Sequence, residues 1–401
     1  MRYRVRVLQL LLATWVGTVV YTHLLYPLLI FSVGLSRQEP VTQQSNRPTV
    51  SLIIAAYNEE EIIAEKINNS LDLTYPVDKL EIIVFSDASS DATDAIVREF
   101  EDEGVTLVRV EGRVGKTACQ NRVAAMASGE VLVFSDANSL YEPDTIQALV
   151  DRFNENVGCV VGALHYEQDG QNTGGIPVYR ALERFIQRWE SRVGSVVKSN
   201  GAIYAVRADS YVDLPPDLMS DFGEPLAIRA NGEDVKFAPD AIARERTRED
   251  LESELQAKIR ITTRSWHTIW AYRNLLNPWE SGVYAIQLWS RTVLLWLTPL
   301  FLLASAASII VLYALRPTRL HGTLLAGLLL TALSHGVAAA SQERKRSAPV
   351  PAQVVHFFVI SNYSLLVGLI NWTRGDNVVT WETDKRAEQS AARIETDAEP
   401  H

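Results

Sequence analysis

The sequence has 401 residues, 47% of them hydrophobic and 21% charged, and its 38 Lys and Arg against 48 Asp and Glu leave a net charge of −10. That balance excludes a disordered chain, which lacks the apolar surface to fold, and a nucleic-acid binder, which needs a basic surface to neutralise phosphates. Two cysteines, Cys119 and Cys159, cannot build a disulfide framework or a thiolate zinc site, and they fit a reducing compartment.

The apolar residues are clustered. Residues 7–35 contain no Lys, Arg, Asp or Glu, and 292–315, 321–342 and 348–373 repeat the pattern. At about 1.5 Å per residue each run crosses ~30 Å of hydrocarbon as a helix. Arg2, Arg4 and Arg6 imitate the basic start of a secretory signal, but a signal's apolar core is shorter. The expected organisation is therefore an N-terminal transmembrane anchor at 1–35, a soluble domain at 36–282, a C-terminal transmembrane region at 283–373, and a polar, mobile tail at 374–401. Eight of the nine tryptophans lie in or beside the apolar runs, as aromatic belts at a lipid bilayer do. The histidines show no metal spacing. His321, His335 and His356 sit singly in membrane runs, where interhelical hydrogen bonding accounts for them.

Within 36–282 the elements alternate. Residues 49–55 read as an apolar strand, after which Asn58 caps a helix that carries Ile63, Ile67 and Leu71 on one face. Strands follow at 81–85, 105–110 and 131–134, and helices at 93–101 and 116–127. Fully apolar strands alternating with helices predict an α/β fold with a mostly parallel sheet, whose ligands sit at the carboxyl ends of the strands. Beyond it come a helix at 178–193, a short strand at 203–206 and a charged helix at 247–264.

Two strands end in the same pentapeptide, Val84-Phe85-Ser86-Asp87-Ala88 and Val133-Phe134-Ser135-Asp136-Ala137. A parallel sheet delivers Asp87 and Asp136 to one edge, where two acids are costly unless something positive sits between them, and a divalent cation and a nucleotide are the candidate ligands. Each Asp can instead cap the next helix. Asp136 and Asn138 place two oxygen side chains two residues apart in a turn, within reach of one hard cation. Gly112-Arg113-Val114-Gly115-Lys116-Thr117 ends like a phosphate-binding loop, but the first glycine of that motif belongs at position 110, which is Val. The loop is too short to wrap a phosphate, which excludes a P-loop ATPase. Lys116, at a helix start, either meets an anionic ligand or is a solvated surface lysine.

Ala56-Tyr57-Asn58-Glu59, Ser86-Asp87-Ala88-Ser89-Ser90-Asp91, Gly115-Lys116, Asp136-Ala137-Asn138, Gly201-Ala202-Ile203-Tyr204-Ala205-Val206-Arg207 and Ser220-Asp221-Phe222 together resemble a family 2 glycosyltransferase over about residues 48–264. The resemblance implies a GT-A, Rossmann-like nucleotide-diphospho-sugar transferase domain. It implies that Ala56, Tyr57, Asn58, Glu59, Asp87 and Lys116 bind the nucleotide, and that Asp136 with Asn138 holds Mg²⁺ or Mn²⁺ on the diphosphate. Asp221 stands where the family keeps its general base, and Gly201, Ala202, Tyr204 and Arg207 line the acceptor side. Arg260 and Arg264 are implied phosphate contacts. The metal motif of the family usually reads Asp-x-Asp, and here the second acid is Asn138. Processive synthases carry Gln-x-x-Arg-Trp, whereas this chain has Gln256-Ala257-Lys258-Ile259-Arg260 and then Arg264-Ser265-Trp266, neither with that spacing.

These implications amount to a multi-pass cell-membrane enzyme with a cytoplasmic catalytic domain. It would move a sugar with inversion from a nucleotide-sugar donor, a UDP-sugar first, to a lipid-linked or polysaccharide acceptor. Arg344, Lys345 and Arg346 agree with that orientation, while Arg2, Arg4 and Arg6 oppose it for a single N-terminal crossing. Asn138 and the absent Gln-x-x-Arg-Trp leave one alternative, a non-catalytic nucleotide-sensing export or scaffold component of polysaccharide assembly. No apolar run holds the charged residue that would mark a transport path.

Overall fold

The computed structural model describes residues 2–37, 47–167, 176–246, 251–344 and 348–376. Lys345 and Arg346, the start of the expected 247–264 helix and the expected tail beyond 376 lie outside the described residues.

The strands are β1 (Val50–Ala56), β2 (Leu80–Asp87), β3 (Val105–Val110), β4 (Val131–Asp136), β5 (Leu140–Tyr141), β6 (Val157–Glu167), β7 (Tyr204–Arg207) and β8 (Asp234–Arg246). They form one sheet in the order β3-β2-β1-β4-β7-β6-β8-β5. β1, β2, β3 and β4 are mutually parallel, and β7 runs antiparallel to both β4 and β6. All seven residues of β1 are buried, because helices cover both faces of the sheet. Leu52, Ile54, Val84 and Val133 pack with Ile63, Ile67, Val97 and Ile146 on one face, and Ile53, Phe85 and Phe134 pack with Cys119, Val123 and Ile228 on the other. Each such side chain contributes about 1.5–3 kcal/mol by leaving water.

β6 and β8 have no counterpart in the sequence-based expectations. Glycines in β6 and Pro239 in β8 read as breaks, yet they serve the pairing. A Cβ on Gly162 would stand 2.5 Å from the Ile203 side chain and 2.8 Å from the Ala241 carbonyl, so only glycine lets β6 approach there. The register shift between Gly162 and Ala163 is a bulge that takes up the proline segment of β8. Asn58 does not cap a helix. With φ 54° it turns the chain, and the helix starts at Ile63.

Among the described residues four helices are long and apolar enough to cross a membrane: Tyr3–Gly34, Thr298–Leu315, Arg319–Ser341 and Val350–Arg374. Their outward leucines, such as Leu303, Leu329, Leu330 and Leu333, are exposed, as lipid-facing side chains are. The first packs on the second through Val5, Leu12, Ile309 and Leu312. The last lies against the Leu251–Ala271 helix, where Gly368 admits Thr262 and Trp266 stacks on Trp372 at 5.3 Å. His335 and His356 stack at 4.8 Å between two of these helices. The tryptophans divide between two settings: Trp266 and Trp296 are core, while Trp270, Trp279 and Trp289 are exposed.

Candidate active site

The carboxyl ends of β1, β2 and β4 lie side by side, and the loops that leave them are tied together. The Ser90 N–H donates to the Asn58 side chain at 2.8 Å, the Glu59 N–H to Thr93 at 2.8 Å and the Asn58 N–H to Ser89 at 3.1 Å. Tyr57 is wholly buried, with the Arg113 guanidinium 3.2 Å from its ring centroid.

Asp87 is also wholly buried. Its carboxylate accepts from the Val114 N–H at 2.8 Å, the Gly115 N–H at 3.1 Å and the Arg113 guanidinium at 3.1 Å. The glycine-rich run is therefore no phosphate cradle, since its amides converge on a carboxylate of the protein. Gly112 (φ 94°), Arg113 (φ 52°) and Gly115 (φ 93°) make that wrap possible, and glycine tolerates the left-handed region at two of the three positions. The loop ends at Lys116, the first residue of the Lys116–Ala124 helix.

Lys116 extends its ammonium to the Asp136 carboxylate, at the end of β4. A third element closes on the same point. A Cβ on Gly201 would stand 3.0 Å from Asp136 Oδ2, 3.0 Å from Lys116 Nζ and 3.4 Å from Asp221 Oδ2. Asp221 arrives there from the first turn of the Ser220–Ala230 helix. Burial pushes its carboxyl pKa up, Lys116, Arg264 and Lys198 pull it back, and Asp136 adds to the rise, leaving it above the ordinary value. Burial opposes the charge on Lys116, but Asp136 and Asp221 outweigh it and the ammonium is held above its usual range.

Residues 51–209 match the family described as Glycosyl transferase family 2. They form a family 2 glycosyltransferase domain. A poly-beta-1,6-N-acetyl-D-glucosamine synthase of Staphylococcus epidermidis is 27% identical over 170 residues, 41% of this chain and 41% of that protein. A beta-monoglucosyldiacylglycerol synthase of Trichormus variabilis is 28% identical over 165 residues, 39% of this chain and 35% of that protein. The chain thus spans less than half the length of these curated relatives. The mannosyltransferase PcManGT from Pyrobaculum calidifontis, in complex with GDP-Man and Mn²⁺, aligns with a TM-score of 0.69 and 21% identity over 90% of this chain and 99% of that one, which establishes the GT-A fold.

The glycosyltransferase domain brings Lys116, Asp136, Gly201 and Asp221 to one cleft, with Asn138 half-buried two residues from Asp136. Asp87 stands behind the loop that carries Lys116. Ala202, Tyr204 and Arg207 are not brought to the cleft. Ala202 is buried and its carbonyl accepts from the Tyr141 hydroxyl at 3.0 Å, while Tyr204 stacks on Phe134 at 4.9 Å inside the sheet. Arg207 pairs with Val131 at the amino end of β4, opposite Asp136, and its guanidinium meets Glu233 and Ser210. The direction of β7 accounts for this: it runs antiparallel to β4, from Tyr204 beside Phe134 to Arg207 beside Val131, and so carries the chain away from Gly201 and the cleft. Arg264 is buried and donates to the Leu218 carbonyl at 2.6 Å, so it acts on Asp221 through its charge. Arg260 is half-buried on the same helix and lies close enough to disfavour the charge on Arg264.

Sequence reasoning missed Lys66. It is wholly buried, donates to the Ser139 carbonyl in the Asp136–Ser139 turn, and lies 3.9 Å over the Tyr141 ring. Burial lowers its pKa to about 7 against the pull of Asp136 and Glu245. A lysine between Ile63 and Ile67 on the apolar face of a helix was the signal available. Glu245, on β8, accepts from the Ser139 hydroxyl on the other side of that turn.

The donor atoms at the cleft suit a cation that travels with its substrate. Among the described residues no three His, Cys, Asp or Glu side chains converge to hold a metal. Asp136 keeps a third of its side chain exposed, and Asn138 adds a neutral oxygen. One carboxylate and one amide leave most of an octahedron to phosphates and water, which is how Mg²⁺ and similar ions sit in nucleotide sites.

Proposed function

We propose that the chain is a membrane-embedded, nucleotide-sugar-dependent glycosyltransferase that inverts the anomeric centre, with a cytoplasmic catalytic domain at 36–282 between an anchor at 1–35 and a transmembrane region at 283–373. The observation that carries this is the meeting of Asp136, Lys116 and Asp221 around Gly201. Asp221 takes the proton of the acceptor hydroxyl as the oxygen bonds to the anomeric carbon. The bond from that carbon to the diphosphate breaks on the opposite face, and the electron pair leaves with the nucleoside diphosphate. A buried carboxyl with a raised pKa is a stronger base than a solvated one, and such assistance is worth about 10²–10⁴-fold. Lys116 sets an ammonium beside the leaving diphosphate. Asp136 and Asn138 would hold Mg²⁺ or Mn²⁺, which neutralises charge developing on the leaving group. Ala56–Glu59 and the loop bound to Asp87 form the nucleoside side, and Gly201 the acceptor side. Arg260 and Arg264 shape the potential near the phosphates.

The donor is assigned as a UDP-sugar and the acceptor as lipid-linked or polysaccharide. One curated relative is named for a polysaccharide product and one for a glycolipid product, which supports both acceptor classes. Nucleotide sugars are made in the cytosol, which supports the orientation. The test is a thermal-shift panel of UDP- and GDP-sugars with Mn²⁺, then sugar incorporation from the best donor. Asp221→Asn keeps donor binding and loses transfer, and Asp136→Ala loses Mn²⁺-dependent donor binding by calorimetry. Undiminished transfer by Asp221→Asn removes it as the base.

A further inference from the structure

The Ile176–Val193 helix, the segment that leads from it to Gly201, and two membrane-associated helices share a buried ionic cluster. Arg291 lies in a π-helical turn, Trp289–Val293, just before the second membrane helix, and such turns recur at functional sites. Its side chain is 5% exposed, and its guanidinium stands 2.6 Å from Glu183 Oε1 and 3.8 Å from Glu190 Oε1. Glu190 also accepts from the Tyr26 hydroxyl of the first membrane helix at 2.6 Å and from the Val197 N–H at 3.5 Å. Next to the Arg291 turn, the Ser290 hydroxyl meets Tyr21, in the π turn of the first helix, at 2.8 Å.

The cluster reaches the cleft in three residues of chain. Lys198 meets the same Glu183 oxygen that holds Arg291, at 3.1 Å. Ser199 donates its N–H to the backbone carbonyl of Asp221 at 3.2 Å, and its hydroxyl donates to the same atom. Gly201 then lies against Asp136, Lys116 and Asp221. Lys198 is also one of the charges that pull the Asp221 carboxyl down. Buried ion pairs add little net stability over apolar packing, but breaking one leaves an uncompensated charge that rearranges its surroundings. Such a cluster is poorly suited to holding a fold together and well suited to fixing one geometry.

We infer that Arg291 is a positioning residue: through Glu183 and Glu190 it fixes Lys198 and segment 197–201 against Asp221, so that the base is set by the docking of the membrane helices. The inference rests on the glycosyltransferase reading for its consequence in catalysis, but its structural half can be measured without turnover. In full-length, detergent-solubilised protein, Arg291→Met raises amide exchange of residues 197–201 at least tenfold and slows transfer at least tenfold, with donor Kd changed less than twofold. Arg291→Lys restores most of both. Unchanged exchange at 197–201 in Arg291→Met overturns the inference. So does a loss of transfer that comes with equal losses of donor affinity and Tm and is not recovered by Lys. If the wild-type protein turns over no nucleotide sugar, the glycosyltransferase reading fails and the exchange result still decides the role of Arg291.

Discussion

Gly201→Ala is the sharpest perturbation of the cleft. Gly201 is not among the residues with positive φ, so alanine costs the backbone nothing there and restricts the unfolded chain, a change worth up to about 1 kcal/mol in favour of folding. The new methyl meets Asp136 Oδ2 and Lys116 Nζ at 3.0 Å and Asp221 Oδ2 at 3.4 Å. Ordinary carbon–oxygen contact begins near 3.4 Å, so Asp136 and Lys116 must each retreat by roughly 0.4 Å. A misplacement of 1 Å at a reacting centre costs about 10²-fold, and proportion gives roughly 5–10-fold in kcat, or about 1 kcal/mol. Gly104→Ala is the contrast, because Gly104 has φ 90° with nothing within 4 Å of its Cβ position. There alanine strains the backbone by about 1–2 kcal/mol and leaves transfer alone. The assay is thermal melting beside initial rates of sugar incorporation for both variants. Wild-type kcat in Gly201→Ala refutes the claim that these three groups meet at Gly201.

Three further outcomes follow from the buried charges. Asp221→Asn raises Tm at neutral pH, because a carboxyl whose folded pKa is raised contributes stability below the unfolded value and loses it as pH rises through the folded one. The gap from wild type closes on acidification, and a lower Tm for the variant at pH 7 contradicts this. Lys66, lowered to about 7, binds its proton less tightly folded than unfolded, so stability should rise between pH 7 and 9 in the wild type and rise less in Lys66→Met; parallel melting curves would count against it. Asp87→Ala strands two N–H donors and Arg113 and should cost about 3–5 kcal/mol in chemical denaturation with no nucleotide added, whereas a residue used only for the nucleoside would cost little.

The parallel half of the sheet was legible because β1, β2 and β4 are buried on both faces and read as unbroken apolar runs, two of them ending in the same pentapeptide. The other half, where β7 runs against its neighbours β4 and β6, was not. Gly158, Gly162 and Pro239 look like breaks until β6 is placed between β7 and β8, where the close approach and the bulge require them. Asn58 shows the same limit in one residue: it carries a helix-cap signature, but Ser90, 32 positions away, uses its side chain. Tertiary pairing outbid local propensity there. Arg291 and Glu183 are separated by 108 residues, and neither carries a motif.

Asp87 and Lys116 look like separate candidates in the sequence, one for a nucleoside and one for a phosphate, but the fold makes them a single device. The buried carboxylate gathers the amides of 114 and 115, and the loop so fixed can end only where Lys116 begins its helix. That ammonium supplies the positive charge that two acids at one cleft require, and it does so beside Asp136 and Asp221, where Asn138 brings none. In the proposed reaction a dication arriving with the nucleotide sugar would share the Asp136 carboxylate with Lys116, whose ammonium already lies beside it.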